Sequence, residues 1–219
     1  MQEESPQGGR EMRRHVSLRT AGGIVLALFV GFLLGSSIQP LRSQPSAQPQ
    51  VTQPAGDALV EKLVREADET GRQVRTDVAA LTELMKRVIR EVEVGQQYPE
   101  LEQRGKVLSE RVGVDVEVAL AQTLLAVAEK SVVRSGQEQW VIQRIVDFFK
   151  APQPDVTRYR EKGYTLSSII LAYGIAKAAN ASPERVFEMR QFRQSWPAIA
   201  VALGVKPQEL SKVLQGMFP

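Results

Sequence analysis

From Val60 to Val92 apolar residues recur at steps of four and three: Val60, Val64, Ala67, Gly71, Val74, Val78, Leu81, Met85, Val88 and Val92. This heptad pattern predicts one long amphipathic helix over 57–95, with Asp57 as its cap. Its weakest point is Ala67 with Gly71, since glycine costs about 1 kcal/mol relative to alanine inside a helix. Leu59, Leu63, Leu84 and Ile89 widen the apolar stripe beyond a narrow seam. That width favours a helix lying on its own domain. The alternative is a dimeric coiled coil, a homodimer through residues 57–95.

Gly95 and Pro99 interrupt the pattern, and residues 99–150 read as a helical domain. Pro99 opens a helix that is expected to end near Gly113. Asp115 then caps a strongly apolar helix carrying Val116, Ala119, Leu120, Leu124, Val127 and Ala128. A further helix from Gln137 to Phe149 buries Trp140, Val141, Ile145, Phe148 and Phe149, until Pro152 and Pro154 stop it. Residues 155–219 form a C-terminal helical unit. Asp155 caps a short helix closed by Gly163, Thr165 opens an apolar one, and Ser182-Pro183-Glu184 starts the next. Period-two alternation is missing throughout, so the fold class is all-α.

The N-terminal third has a different character. Residues 1–20 form a basic tail, and Ala21 to Ile38 then run eighteen residues without a charge. At about 1.5 Å per residue that run just crosses a hydrocarbon core, which predicts a transmembrane helix. The small residues at Gly35-Ser36-Ser37 make a poor signal-peptidase site behind a long charged head, so an uncleaved signal-anchor is favoured over a cleaved signal peptide. Arg10, Arg13, Arg14 and Arg19 precede the span, whereas Arg42 alone follows it before residue 57. The positive-inside rule places the N-terminus in the cytoplasm and the remainder across the membrane. Residues 39–56 are a Pro/Gln/Ser linker in which Pro40, Pro45, Pro49 and Pro54 favour extended backbone.

Composition removes whole classes of chemistry. The chain has no cysteine, and its single histidine, His15, lies in the basic tail. Disulfides, thiolate catalysis, His-based triads and Cys/His metal centres are excluded, and no cofactor or metal is expected. The 28 basic residues are nearly balanced by 25 acidic ones, so net charge gives no argument for nucleic acid. Aromatics are 6% of the chain, and Trp140 and Trp196 read as core anchors, either of which could also fill a partner's groove. The run from Arg158 through Lys162 reads as a solvated helix face, and Glu129 as a solvated charge at a helix end.

Two resemblances bear on function. Ala200, then Gly204, Leu210 and Val213, with Ile199, Leu203 and Val205 between, predict a helix from Trp196 to Leu203, a turn, and a helix from Pro207 to Gln215. That spacing resembles the helix-turn-helix of bacterial transcription regulators, which implies a tri-helical unit with the last helix reading DNA. That helix offers Gln208, Glu209, Ser211, Lys212 and Gln215, and Arg190 and Arg193 lie just before Trp196. One lysine and no arginine on the reading helix speak against phosphate contacts. The Gly113-Val114-Asp115 start leading to Ala128-Glu129 is similar to lytic transglycosylases, whose single catalytic glutamate would then be Glu129. Lys130 stands where that family has serine.

The sequence therefore predicts a single-pass membrane protein with a non-enzymatic helical scaffold outside the cytoplasm, in a bacterial inner membrane. Protein partners or the cell envelope are its expected contacts. The residues expected at an interaction surface are Trp196, Arg190, Arg193, Gln208 and Lys212. The alternative is a membrane-tethered DNA-binding regulator of opposite topology, and the third reading is a cell-wall lytic enzyme.

Overall fold

The computed structural model describes residues 54–93 and 96–217, and among them every regular element is a helix. Two long helices, α1 (Pro54–Glu91) and α2 (Pro99–Ser135), precede six shorter ones. These are α3 (Glu138–Phe149), α4 (Gln153–Glu161), α5 (Leu166–Ala178), α6 (Pro183–Gln191), α7 (Trp196–Ala202) and α8 (Glu209–Gln215). No helix among the described residues is long and apolar enough to cross a membrane. The expected span at 21–38, its basic tail and almost all of the linker lie outside the described residues. The first helix starts at Pro54, ahead of the expected cap, and Asp57 sits in its first turn, where a carboxylate favours the helix dipole.

α1 and α2 form an antiparallel hairpin, about 55 Å long at 1.5 Å per residue. Leu63, Thr70, Asp77 and Leu84 are buried at heptad intervals along α1. Across the seam Thr70 donates to Gln122 Oε1 at 2.6 Å, Arg111 pairs with Asp77 at 2.8 Å, and Leu84 lies against Gly105. Polar groups matched at fixed levels of an otherwise apolar seam penalise any slip in register, because a slip would strand them unpaired.

The short helices pack on one side of this hairpin around α5, which is buried without interruption from Leu166 to Ala176. A helix apolar on all sides has to be central. Val114, Val118 and Leu125 of α2 close over it from the hairpin, and Ile145, Val156, Phe187, Ile199 and Leu210 close over it from α3, α4, α6, α7 and α8. The rings of Tyr159 and Phe187 stack at 3.6 Å beside it. Every helix from α2 to α7 stops in the same way, with a left-handed residue at Gly136, Lys150, Gly163, Asn180, Arg193 or Gly204. The next residue's N–H then returns to the carbonyl five positions back, as from Tyr164 to Tyr159 and Val205 to Ala200. This closes the orphan carbonyls of each helix end and folds the chain sharply back.

α4–α5 and α6–α7 are two copies of one helix–turn–helix unit, offset by thirty residues. Val156 matches Val186, Arg160 matches Arg190, and Ile169 matches Ile199, and both members of each apolar pair are fully buried. Thr165 and Ser195 are equivalent caps, accepting from the N–H of Ser168 and of Ala198. The copies diverge after Gly174 and Gly204. Gly174 lies inside α5, which continues through Ala176, Lys177 and Ala178. Gly204 turns at φ 81°, because Pro207 four residues beyond Leu203 forbids another helical turn.

Several expectations are corrected. The break near Gly113 is absent: α2 is continuous for 37 residues, and Asp115 is buried in its interior instead of capping a new helix. Gly113 is there because Pro207 packs on it, with Cγ only 3.0 Å from where a Cβ would stand. On α2 the buried residues are Val114, Asp115, Val118, Gln122, Leu125 and Glu129, so Val116, Leu120 and Val127 face outward. Apolar residues surround this part of the helix, so periodicity alone could not select its inner face. Trp140 is 59% exposed and anchors no core, whereas Val141, Ile142 and Ile145 beside it do.

Candidate functional site

The residues expected at an interaction surface separate into two groups held by different long helices. Trp196 is 1% exposed and belongs to the core. The Arg190 guanidinium lies over its ring, 5.0 Å from the centroid. Arg190 also donates to the carbonyl of Gln194 at 2.8 Å and to Glu69 of α1 at 2.7 Å. Arg190 and Trp196 therefore join α6 and α7 to the hairpin and are turned away from solvent. Arg193 is exposed in the left-handed turn, where it lines a polar cleft of about 460 Å³ with Arg72, Gln73 and Ser195.

Gln208 and Lys212 are exposed beside α2 instead. Glu117 of α2 accepts from the Gln208 N–H at 2.7 Å, from the Ser211 N–H at 2.6 Å and from the Ser211 hydroxyl. Lys206 reaches Glu110 at 3.3 Å, and its N–H donates to Glu209 at 2.6 Å. A carboxylate thus occupies the amino end of α8, the end from which a DNA-reading helix presents its side chains. No local signal reveals this contact, since Glu117 lies about ninety residues away in the chain on a helix that is apolar on nearly every side.

Glu129 is not the solvated charge expected of it. It is 3% exposed, and its carboxylate accepts from the N–H groups of Leu166 and Ser167 at 2.8 and 2.9 Å and from the Ser167 hydroxyl. Glu66 of α1 accepts from Ser168 at 2.8 Å next to it. Both carboxylates hold the amino end of α5, where helix dipole and orphan donors welcome negative charge. Arg160, also expected in a solvated face, is half-buried and donates to the carbonyl of Tyr164 at 2.7 Å and to Glu138 of α3. It repeats in the first copy what Arg190 does in the second. The signal that reveals the pair in sequence is the thirty-residue offset.

Deep in the hairpin Asp115 is fully buried, and neither carboxylate oxygen has a donor. Burial, then the hydrogen bond and repulsion with Asp77, push its pKa up to about 7. At Asp77 desolvation is outweighed by the hydrogen bond with Asp115, then by hydrogen bonds from Gln73 and Arg111 and the charge of Arg111, which hold its carboxyl below the usual range. One carboxyl is neutral and donates while the other is ionised and accepts.

The predicted heptad seam of α1 is split lengthwise. Val74, Leu81 and Val88 are half-buried against α2, while Val64, Val78 and Met85 are exposed. An apolar hollow of about 650 Å³ lined by Pro99, Val107 and Leu108 lies at the hairpin tip. The comparisons with protein-family models, curated proteins and solved structures returned no match.

Proposed function

We propose that the chain is a membrane-anchored, non-enzymatic scaffold, held by residues 21–38 with its amino terminus in the cytoplasm and its helical body on the other side. The observation that carries this reading is the uncharged eighteen-residue run, basic on one flank and followed by a proline-rich spacer, ahead of a rigid helical hairpin. The polar groups of the body support it. Glu129, the glutamate a lytic enzyme would use, holds the start of α5, and Glu117 holds the start of α8 where a DNA regulator needs a free end. What the body offers to solvent is mainly helix surface, the chemistry of a protein partner.

A reporter active only outside the cytoplasm, fused after Pro219, tests the topology. It is expected to be active in a fusion that sediments with membranes. A silent reporter on a well-expressed, membrane-bound fusion reverses the orientation and favours the DNA-binding alternative.

A further inference from the structure

The hairpin face turned away from the short helices is mainly apolar, with Arg75 of α1, whose guanidinium lies over Gly71, at its margin. On α1 this face bears Val64, Val78, Met85 and Ile89, which are 54%, 41%, 57% and 80% exposed. Between them at helical spacing lie Ala67, Gly71, Val74 and Thr82. On α2 the same side bears Val116, Leu120 and Val127, 50%, 37% and 52% exposed. Because the helices are antiparallel with Thr70 opposite Gln122, Val64 stands about level with Val127, and Val78 lies about a turn beyond the level of Val116. The α2 row runs for about 16 Å beside the first half of the α1 row, which is about 37 Å long at 1.5 Å per residue. In a chain that is 24% charged, two adjacent helices with mostly apolar side chains exposed on one face mark a surface built to be covered.

We infer that a second copy of this chain covers it, the two hairpins packing face to face as a four-helix interface. Three observations select this occupant. The exposed part of these side chains comes to roughly 600 Å² per copy, near the ~800 Å² that each partner gives to a standard interface. A mainly apolar row of heptad-spaced residues is complementary to itself under a two-fold axis, whereas the body's other faces carry mixed charge. Ala67 beside the row lets the helices approach closely, with the Arg75 side chain lying over Gly71 one turn on. This inference rests on the scaffold reading, and there an anchor would confine the copies to one plane and raise their effective concentration.

Because the chain has no cysteine, single cysteines in the full-length protein report proximity without background. In isolated membranes under mild oxidation, Val64→Cys, Val78→Cys, Met85→Cys, Val116→Cys and Val127→Cys sample every level of the face. At least one is expected to give a disulfide-linked dimer, while exposed Gln143→Cys and Glu184→Cys are not. The double variant Val78→Glu with Leu120→Glu is expected to keep its helicity and to weaken self-association at least tenfold in detergent. Cross-linking from the controls as strong as from the face, or association unchanged in the double variant, overturns the inference. Fractionation of the same cells separates the two ideas: loss of the chain from the membrane pellet sinks the anchor, and the cross-linking pattern still decides the dimer.

Discussion

Asp115 and Asp77 face one another across the α1–α2 seam, and Arg111 pairs with Asp77 alone, at 2.8 Å. A neutral acid inside a hairpin makes stability depend on pH with a definite sign. Between about pH 4 and pH 7 the folded chain keeps a proton on Asp115 that the unfolded chain releases, so stability falls as pH rises through that window. Above pH 7 both states are ionised and the slope ends. The loss is on the order of 4 kcal/mol. Asp77, lowered, works the other way only below its ordinary value of 3.8. Asp115→Asn keeps the shape and a donor, and is expected to flatten the fall in melting temperature between pH 4.5 and 7.5. A slope identical to that of the wild type would show that another group sets it.

Glu129→Ala removes the acceptor for two backbone donors and a hydroxyl at the start of the central helix. Leaving buried donors unpaired costs about 1–3 kcal/mol each, so this substitution should be among the most damaging in the body. Glu129→Gln, which keeps an acceptor but loses the charge, should cost markedly less. Chemical denaturation of both variants decides it; equal effects would mean that volume, not hydrogen bonding, is what Glu129 supplies.

Arg160 and Arg190 each bridge a turn carbonyl and a carboxylate on another element, and Arg190 is the more enclosed, its side chain 11% exposed against 28%. Arg190→Ala is expected to cost about 2–3 kcal/mol and Arg160→Ala about half as much. Lysine should rescue neither, because one ammonium lacks the fork that meets both acceptors. Rescue by Arg190→Lys in a thermal melt would argue that charge alone matters there.

Gly204 and Gly174 occupy matching places in the two copies and should fail for different reasons. Open space surrounds a Cβ at Gly204, yet its φ of 81° makes Gly204→Val a backbone problem worth about 1–2 kcal/mol. At Gly174 the φ is helical, and a Cβ would meet Leu210 and Leu214 at 3.1 Å, so Gly174→Val is a packing problem. Shortening the neighbour in Gly174→Val with Leu214→Ala should recover part of the second loss, and Leu214→Ala should do nothing for the first. Additive effects at both glycines would refute the distinction.

The full-length chain is expected to bind duplex DNA no better than a control protein of similar charge. Lys206 is paired with Glu110, and Glu117 sits on the amino end of α8. Binding that is sequence-selective and falls steeply with salt would overturn this.

Much of the architecture was legible in local sequence, because helix signals are local. Heptad spacing placed α1, Thr165 and Ser182 marked two helix starts, and Gly163 and Gly204 marked two turns, since side-chain caps and left-handed residues act over only a few positions. Which face of a helix goes inward is settled by distant neighbours. Around Val116 the helix is apolar on nearly every side, so the identity of its inner face waited for α5 and α1 to arrive. The same holds for Gly113, whose role in the middle of α2 exists only because Pro207 folds back onto it. Charge is the extreme case. Glu129, Glu117 and Asp115 look alike in sequence as isolated carboxylates along an apolar helix. Their three different fates, two capping remote helices and one kept neutral, depend on donors and charges tens of residues away that only the tertiary structure brings within hydrogen-bond distance.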